Sequence, residues 1–341
     1  MSKAPDQGQT LPIGEWLAPL AGHRVWWCEG GDPHGLAVLI VHGGPGGASR
    51  IEPTGWFAGL PVRWIAIDQR GCGRSTPLGE TAHNTLSELL ADMERLREHL
   101  GIGRWALAGG SWGARVALRY AAGWPQRVSG LLLRSPFLGG LAETRRYIAA
   151  WPAWLGQEGE AWLGKEAAAA VFALYQCSTE SLCADTGLLP GALEDEKVAR
   201  AWAAFDDAQS APGGVIARAS RCSPATLKAL TETQAAAWRV HLHYARHGWG
   251  EREGHPRGLP TAAPACGPSA VVCGADDATC DPELAEALGR LLSSARVRVV
   301  PGAGHRLSDP RLAPALAEAA REWVAVQTAR IAPSPSERGR G

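Results

Sequence analysis

The sequence predicts an α/β protein built around a mostly parallel β-sheet. Three observations predict it: short apolar runs bounded by Gly, Pro or Asp, helical patterns between several of these runs, and a length of 341 residues, which fits one large domain with an insertion or two small domains. Near-continuous apolar runs are typical of strands covered on both faces. Strands that alternate with helices are typical of parallel sheets.

The predicted elements can be placed along the chain in order. Segment 23–29 is a candidate antiparallel edge strand, and Thr85 and Glu88 have the spacing of a capping box at the start of the first helix. The six main strands are predicted at 36–44, 62–71, 104–111, 128–136, 269–277 and 296–305, and the helices at 84–100, after Ser111 and at 282–292.

The strand pattern is interrupted once, in the middle of the chain. From about residue 138 to 250 the sequence is rich in Ala, Trp and Leu at helical spacing, and a Pro- and Gly-rich stretch follows it. The C-terminal segment is rich in Pro, Ser and Arg without periodicity, which predicts disorder. The predicted units are a first core segment (1–137), a helical cap (138–262), a second core segment (263–330) and a disordered tail (331–341).

Composition excludes several classes of function. The 34 basic residues balance the 34 acidic ones, so the chain lacks the positive excess of a nucleic-acid-binding protein. No apolar stretch approaches the roughly 18 residues that indicate a membrane span, and the N-terminal sequence has no signal-peptide pattern. We expect a soluble cytoplasmic protein that binds neither nucleic acid nor membrane. The sequence gives no oligomeric state.

The cysteines and tryptophans carry less specific information. Eight cysteines are scattered without a CxxC pair or a Cys/His cluster of zinc spacing, which predicts reduced thiols and no metal site. The 15 tryptophans predict large rings that line a core or an apolar cavity.

The strongest chemical signal is the G-x-S-x-G sequence at 109–113, centred on Ser111. It lies directly after a predicted strand and directly before a predicted helix, which is the context that a nucleophile elbow requires. Small flanking residues permit the tight turn, and the start of the helix directs N–H groups towards the reacting oxygen. A chance Gly-Ser turn would not require this placement. We therefore predict that Ser111 is a nucleophile.

A serine nucleophile needs a base and an acid, which follow it in the chain in this type of fold. His305 ends the sequence GAGH after the last predicted strand and has the best context of the 10 histidines. Asp276 and Asp277 both follow the preceding strand; we favour Asp277 as the acid, and the other is then a solvated loop residue.

The reaction also needs hydrogen-bond donors for an oxyanion. The backbone N–H after the nucleophile, that of Trp112, is one predicted donor, and that of Gly44 in the Gly-rich loop at 42–47 is the other. The alternative function of such a loop, phosphate binding, is disfavoured because the loop has neither a Walker lysine nor a G-x-G-x-x-G pattern.

Five motifs together resemble the proline iminopeptidase family: HGGPGG (42–47), DQRGCGRS (68–75), GGSWG (109–113), GADDATC (274–280) and GAGH (302–305). The resemblance covers about 36–136 and 269–308. It implies an α/β-hydrolase fold with a helical cap, release of N-terminal proline from peptides, and no cofactor. Aligning Cys280 with the cysteine of the family's acid loop places the acid on Asp277.

The resemblance is weaker in the cap. The family pattern W-x-x-W-E, whose glutamate holds the substrate's free amine, corresponds here to 202–206, which ends in Asp206. A second family glutamate is replaced by His241. The resemblance therefore implies an amine site with one carboxylate fewer, and with weaker binding as the pH falls towards the ordinary histidine pKa of about 6.5. On sequence alone, Asp206 could equally be a solvated charge on a helix.

The predicted function is thus a serine hydrolase of proline iminopeptidase type that acts on small peptides through an acyl-enzyme. The altered cap favours an alternative, a related hydrolase of esters, amides or lactones that lack an N-terminal amine. A binding protein on a hydrolase scaffold is disfavoured because no catalytic residue type is missing. Attack by a carboxylate, as in epoxide hydrolysis, is disfavoured because the elbow residue is Ser111.

Overall fold

An eight-stranded sheet forms the centre of the structure, a computed structural model that describes residues 11–176, 193–253, 266–292 and 295–331. Its strands are β1 (Glu15–Trp16), β2 (Trp26–Gly31), β3 (Leu36–Val41), β4 (Val62–Ile67), β5 (Trp105–Gly110), β6 (Val128–Arg134), β7 (Ser269–Gly274) and β8 (Arg296–Val300). Their order across the sheet is β1-β2-β4-β3-β5-β6-β7-β8. Strands β3 to β8 pair only in parallel with one another, which confirms the predicted fold class.

The prediction of an antiparallel edge strand near residues 23–29 is right in direction and wrong in position. Strand β2 pairs antiparallel with β4, but β1 pairs with it on its other side, so β2 is not the edge. Two residues, Glu15 and Trp16, are too few to produce a period-2 pattern in the sequence.

Helices connect several of these strands, and one follows the last strand. Thr85 and Glu88 form the predicted capping box at the start of α1. The α-helices among the described residues are α1 (Leu86–His99), α2 (Trp112–Gly123), α3 (Leu141–Ile148), α4 (Trp151–Leu163), α5 (Lys165–Gln176), α6 (Glu196–Gln209), α7 (Gly214–Arg218), α8 (Glu232–Arg246), α9 (Pro282–Leu291) and α10 (Leu312–Ile331).

Both faces of the parallel sheet are buried. In β3, Leu39 and Val41 belong to one apolar cluster with residues of α1 and α2, whereas Val38 and Ile40 belong to another with residues of α10. Alternate residues of a strand point to opposite faces, so helices cover each side of the sheet. The carboxyl ends of β3, β5, β7 and β8 then share one edge, where open α/β sheets place their sites.

Helices α3 to α8 lie in the chain between β6 and β7, where we predict the cap, and α8 contacts the Gly-rich loop at this edge. In α8, the Ala237 carbonyl lies so close to Gly46 that a Cβ on that glycine would collide with it. The cap and core boundaries remain predictions, and the predicted tail, apart from Ile331 at the end of α10, lies outside the described residues. Within the described ranges no helix combines the length and the apolarity of a membrane span.

Candidate active site

Ser111 occupies a sharp turn between β5 and α2. Its φ and ψ angles are 55° and −124°, a backbone conformation that is strained for a residue with a side chain. A Cβ on Gly109 would collide with the Gly113 carbonyl, and one on Gly113 would collide with the Val41 carbonyl of β3. The turn therefore requires both glycines of the motif, and it presents Ser111 in a cavity of about 180 Å³.

His305 lines the same cavity and is hydrogen-bonded to Asp277. Its Nδ1 lies 2.9 Å from Oδ2 of Asp277, whose side chain is fully buried. The other carboxylate oxygen accepts the N–H groups of Thr279 and Cys280, at 2.9 and 2.8 Å. Burial by itself raises the pKa of Asp277, but His305 and these donors hold it below its ordinary value, which keeps the carboxylate charged. The side chain of Asp276 is exposed.

The backbone around His305 is held by the cap segment and by the sheet. The Ser210 carbonyl, at the end of α6, accepts the N–H groups of His305 and Arg306 at 3.0 and 3.1 Å. From the sheet, Arg134 Nη1 donates to the His305 carbonyl at 2.6 Å. A third contact joins the N–H of Gly213 to the Asp276 carbonyl at 2.7 Å. The corner between α6 and α7 thus holds the loops that carry both His305 and Asp277.

The Gly-rich loop is oriented by His42. The N–H of Gln69 donates to His42 Nε2 at 3.0 Å, so the neutral ring carries its proton on Nδ1 and donates it to the Gly43 carbonyl at 2.8 Å. Burial lowers the pKa of His42, which keeps the ring neutral. Because C=O and N–H point in opposite directions across a trans peptide, the Gly44 N–H points away from His42. Gly44 lines the cavity beside Ser111.

Gln69 also holds Trp112, the residue that follows Ser111. Its side-chain Oε1 accepts the indole N–H of Trp112 at 3.0 Å, and its Nε2 donates to the His42 carbonyl at 2.8 Å. As the first residue of α2, Trp112 has a backbone N–H without an intrahelical acceptor. One side chain therefore connects both predicted oxyanion donors. Gln69 lies in the motif DQRGCGRS, and nothing in that motif predicts that Gln69 connects these two donors.

Asp206 lines the cavity and is not a solvated charge. It is half-buried, and its Oδ1 accepts the hydroxyl of Tyr147 at 2.7 Å. Burial raises the pKa of Asp206 above its ordinary value, an effect that the Tyr147 hydrogen bond and the nearby His305 partly offset. The structure brings this carboxylate into the same cavity as Ser111 and His305.

His241 also lines the cavity, but the expected titration near pH 6.5 is wrong. The ring is 6% exposed, and burial lowers its pKa to about 3. Trp202 donates its indole N–H to the Tyr175 hydroxyl oxygen at 2.9 Å, and a hydrogen bond of 2.5 Å joins that hydroxyl to His241 Nε2. His241 is therefore neutral across the physiological range and cannot repel a cation there.

Aromatic rings form most of the remaining wall, and sequence reasoning did not assign them individually. The 15 tryptophans gave only the general expectation of an apolar cavity. No set of three or more His, Cys, Asp or Glu side chains in the described ranges could hold a metal ion. The rings that line the cavity are those of Phe137, Tyr147, Tyr175, Trp202 and Trp249.

Comparison with known proteins agrees with this architecture. The model of the α/β hydrolase fold family matches residues 37–310. A proline iminopeptidase-related protein from Thermus thermophilus superposes with a TM-score of 0.55 at 24% identity, over 92% of this chain and all of that one. An esterase from Thermogutta terrifontis gives a TM-score of 0.53 at 23% identity, over 94% and 99%. The protein is an α/β hydrolase.

Proteins of similar sequence indicate which family of α/β hydrolases the chain belongs to. The chain is 34% identical over 319 residues to the proline iminopeptidase of Neisseria meningitidis serogroup B, which covers 88% of this chain and 92% of that one. It is 31% identical over 341 residues to a probable proline iminopeptidase of Leptolyngbya boryana, covering 95% and 96%. The chain belongs to the proline iminopeptidase family, which confirms the resemblance seen in its motifs.

Proposed function

We propose that the protein releases N-terminal proline from peptides through an acyl-enzyme on Ser111. The observation that carries the proposal is the position of Asp206, a carboxylate in the same ring-lined cavity as Ser111 and His305. A pyrrolidine ring is apolar and its nitrogen is a charged donor, so it fits aromatic walls with one carboxylate. The names of the relatives support the same activity.

Acylation uses the residues already described. Ser111 Oγ attacks the carbonyl carbon while His305 Nε2 takes the hydroxyl proton, and Asp277 stabilises the imidazolium through Nδ1. The N–H groups of Gly44 and Trp112 bind the oxyanion. His305 then donates its proton to the leaving nitrogen, the C–N bond breaks, and a prolyl ester of Ser111 remains.

Deacylation repeats these steps with water. His305 takes a proton from a water molecule, whose oxygen attacks the ester carbon, and returns it to Ser111 Oγ as the C–O bond breaks. Proline leaves the cavity, and the enzyme returns to its starting state without a cofactor.

The neutral His241 ring favours an alternative function, the hydrolysis of substrates that lack an N-terminal amine. It contributes no negative charge to an amine site, so the cavity has one carboxylate, Asp206, within a largely apolar wall. Such a cavity also suits the acyl group of an ester, amide or lactone without an N-terminal amine.

A panel of substrates on two variants distinguishes these functions. We expect wild-type enzyme to hydrolyse prolyl p-nitroanilide and to leave N-acetylprolyl p-nitroanilide nearly untouched. Asp206→Asn removes a charge-assisted hydrogen bond worth on the order of 1–3 kcal/mol, so kcat/KM for the prolyl substrate should fall roughly ten- to a hundredfold. Hydrolysis of p-nitrophenyl acetate should be unchanged. Since the pKa of Asp206 is raised, amine binding should weaken on acidification at a higher pH than an ordinary aspartate would predict.

The matched control is Asp207→Asn, on the same helix but exposed. It should leave all three substrates within about twofold, as surface ion pairs contribute little. Equal kinetics of Asp206→Asn and wild type on the prolyl substrate, or rapid ester turnover without any prolyl turnover, would favour the alternative function.

Replacement of Gln69 tests the oxyanion site. Gln69→Leu removes the side-chain bonds to Trp112 and to the His42 carbonyl, so kcat should fall roughly ten- to a hundredfold with little change in KM, because oxyanion donors act in the transition state. Gln327→Leu is the control, since Gln327 is equally buried but bonds to Pro268, far from the site. A Gln69→Leu enzyme that folds and keeps its kcat would contradict this role.

A further inference from the structure

Arg134, the last residue of β6, is a buried cation with little compensation. Arg134 is 8% exposed. It donates one hydrogen bond to a described residue, and the acceptor is the His305 carbonyl. Among the described residues, no carboxylate lies within 4.0 Å of its nitrogens; Asp277 acts on it from farther away. A guanidinium stays charged in a protein, and burying it unpaired is costly.

This arginine faces two cavities. One is the catalytic cavity, and the other, of about 240 Å³, is lined by residues of the Gly-rich loop and of strands β3 and β5. The two share Arg134, Gly43 and Gly44. The second cavity is lined by core residues such as Trp56 and Leu307 rather than by the cap.

The second cavity is positively charged. Arg50 lines it together with Arg134, and neither arginine forms an ion pair with a described residue. None of the described residues that line it is acidic, and His42, its one histidine, is kept neutral by burial. Two guanidinium groups without a carboxylate are suited to a carboxylate ligand, which arginine binds through two parallel hydrogen bonds.

The position of this cavity relates it to the leaving group, if the proposed function holds. The acyl group then occupies the cavity of aromatic rings, and the carbonyl oxygen points to Gly44, at the boundary between the two cavities. The second cavity, which adjoins the first at Gly43, Gly44 and Arg134, is then the neighbouring space for the leaving group. A residue spans at most about 3.6 Å, so a leaving group of one residue places its carboxylate within reach of the neighbouring Arg134.

We propose that Arg134 and Arg50 form a subsite for the C-terminal carboxylate of the leaving group, so that dipeptides with a free C-terminus are the preferred substrates. Two charge-assisted contacts predict at least a roughly tenfold preference in kcat/KM for prolylglycine over prolylglycinamide. The ratio between these two substrates is the informative quantity. Arg134 also supports His305, and the loss of that support alone would slow both substrates equally.

The experiment measures this ratio in wild type and in Arg50→Gln, Arg134→Gln and Arg134→Lys. We expect it to fall towards 1 in both glutamine variants and to recover partly with lysine, which keeps the charge. Arg290→Gln, at an exposed position far from both cavities, should keep the wild-type ratio. A ratio near 1 in wild type, or an unchanged ratio in either glutamine variant, would overturn the subsite.

A binding measurement separates failure of the subsite from failure of the proposed function. Ser111→Ala protein is titrated by calorimetry with N-acetylglycine and with N-acetylglycinamide, neither of which contains proline. We expect the acid to bind at least roughly tenfold more tightly, and this difference to disappear in Ser111→Ala/Arg50→Gln. Equal affinities would overturn the subsite, whereas the absence of prolyl turnover with unequal affinities would overturn only the peptidase function.

Discussion

Replacement of Ser111 by alanine is expected to lower kcat by about 10⁴- to 10⁶-fold with little change in thermal stability. The hydroxyl is the proposed nucleophile, and it lines the cavity together with Gly44 and His305. Alanine keeps a side chain at the strained φ angle, so the turn itself should be preserved. The measurement is steady-state turnover of prolyl p-nitroanilide, with thermal unfolding to establish that the variant is folded.

Two further variants, His305→Ala and Ser210→Ala, test the same mechanism. His305→Ala should cost nearly as much as Ser111→Ala, and the double variant should be scarcely worse than either, because the residues act as one unit. Ser210→Ala removes the hydroxyl of another serine in the same cavity but keeps the carbonyl that holds His305. Ser210→Ala should therefore be active, and a folded Ser111→Ala enzyme with near-normal turnover would refute the mechanism.

Asp277→Asn should lower kcat by about 10⁴-fold, whereas Asp276→Asn should change it by less than about twofold. An amide at position 277 presents an N–H or a neutral oxygen to His305 Nδ1, so the imidazolium that forms during catalysis loses its partner. Asp276 is exposed and contributes its backbone carbonyl, which the substitution leaves in place. The pair is a matched comparison of neighbouring residues, and the reverse order of effects would mean that the acid is Asp276.

Local sequence signals were sufficient for much of the fold and for the sharp turn that carries Ser111. The strands that bear the site are continuous apolar runs, and the turn at Ser111 requires glycines on both sides, so both features are visible in short windows of sequence. The adjacent Asp276 and Asp277 differ only in the direction in which one loop turns them. The strand pattern does not distinguish them, and the preference for Asp277 came from the resemblance, which aligns Cys280 with the cysteine of the family's acid loop.

Features that depend on distant parts of the chain were not predictable in the same way. The pKa of His241 depends on rings contributed by α5, α6 and the segment after α8, and its sequence neighbours indicate only a position on a helix. Gln69 acts through contacts with His42 and Trp112, which lie 27 and 43 residues away. The edge strand β1 was missed because it has only two residues.

The corner between α6 and α7 has a consequence for the evolution and engineering of such enzymes. Its Ser210 carbonyl and Gly213 N–H are bonded to the loops of His305 and Asp277, and α6 also carries Asp206. A cap exchanged between relatives therefore brings with it part of the scaffold of the predicted catalytic residues, His305 and Asp277. We therefore expect changes of specificity in α6 to alter turnover as well. A graft that ends before Ser210 is expected to separate the two properties, and one that includes Ser210 to transfer both.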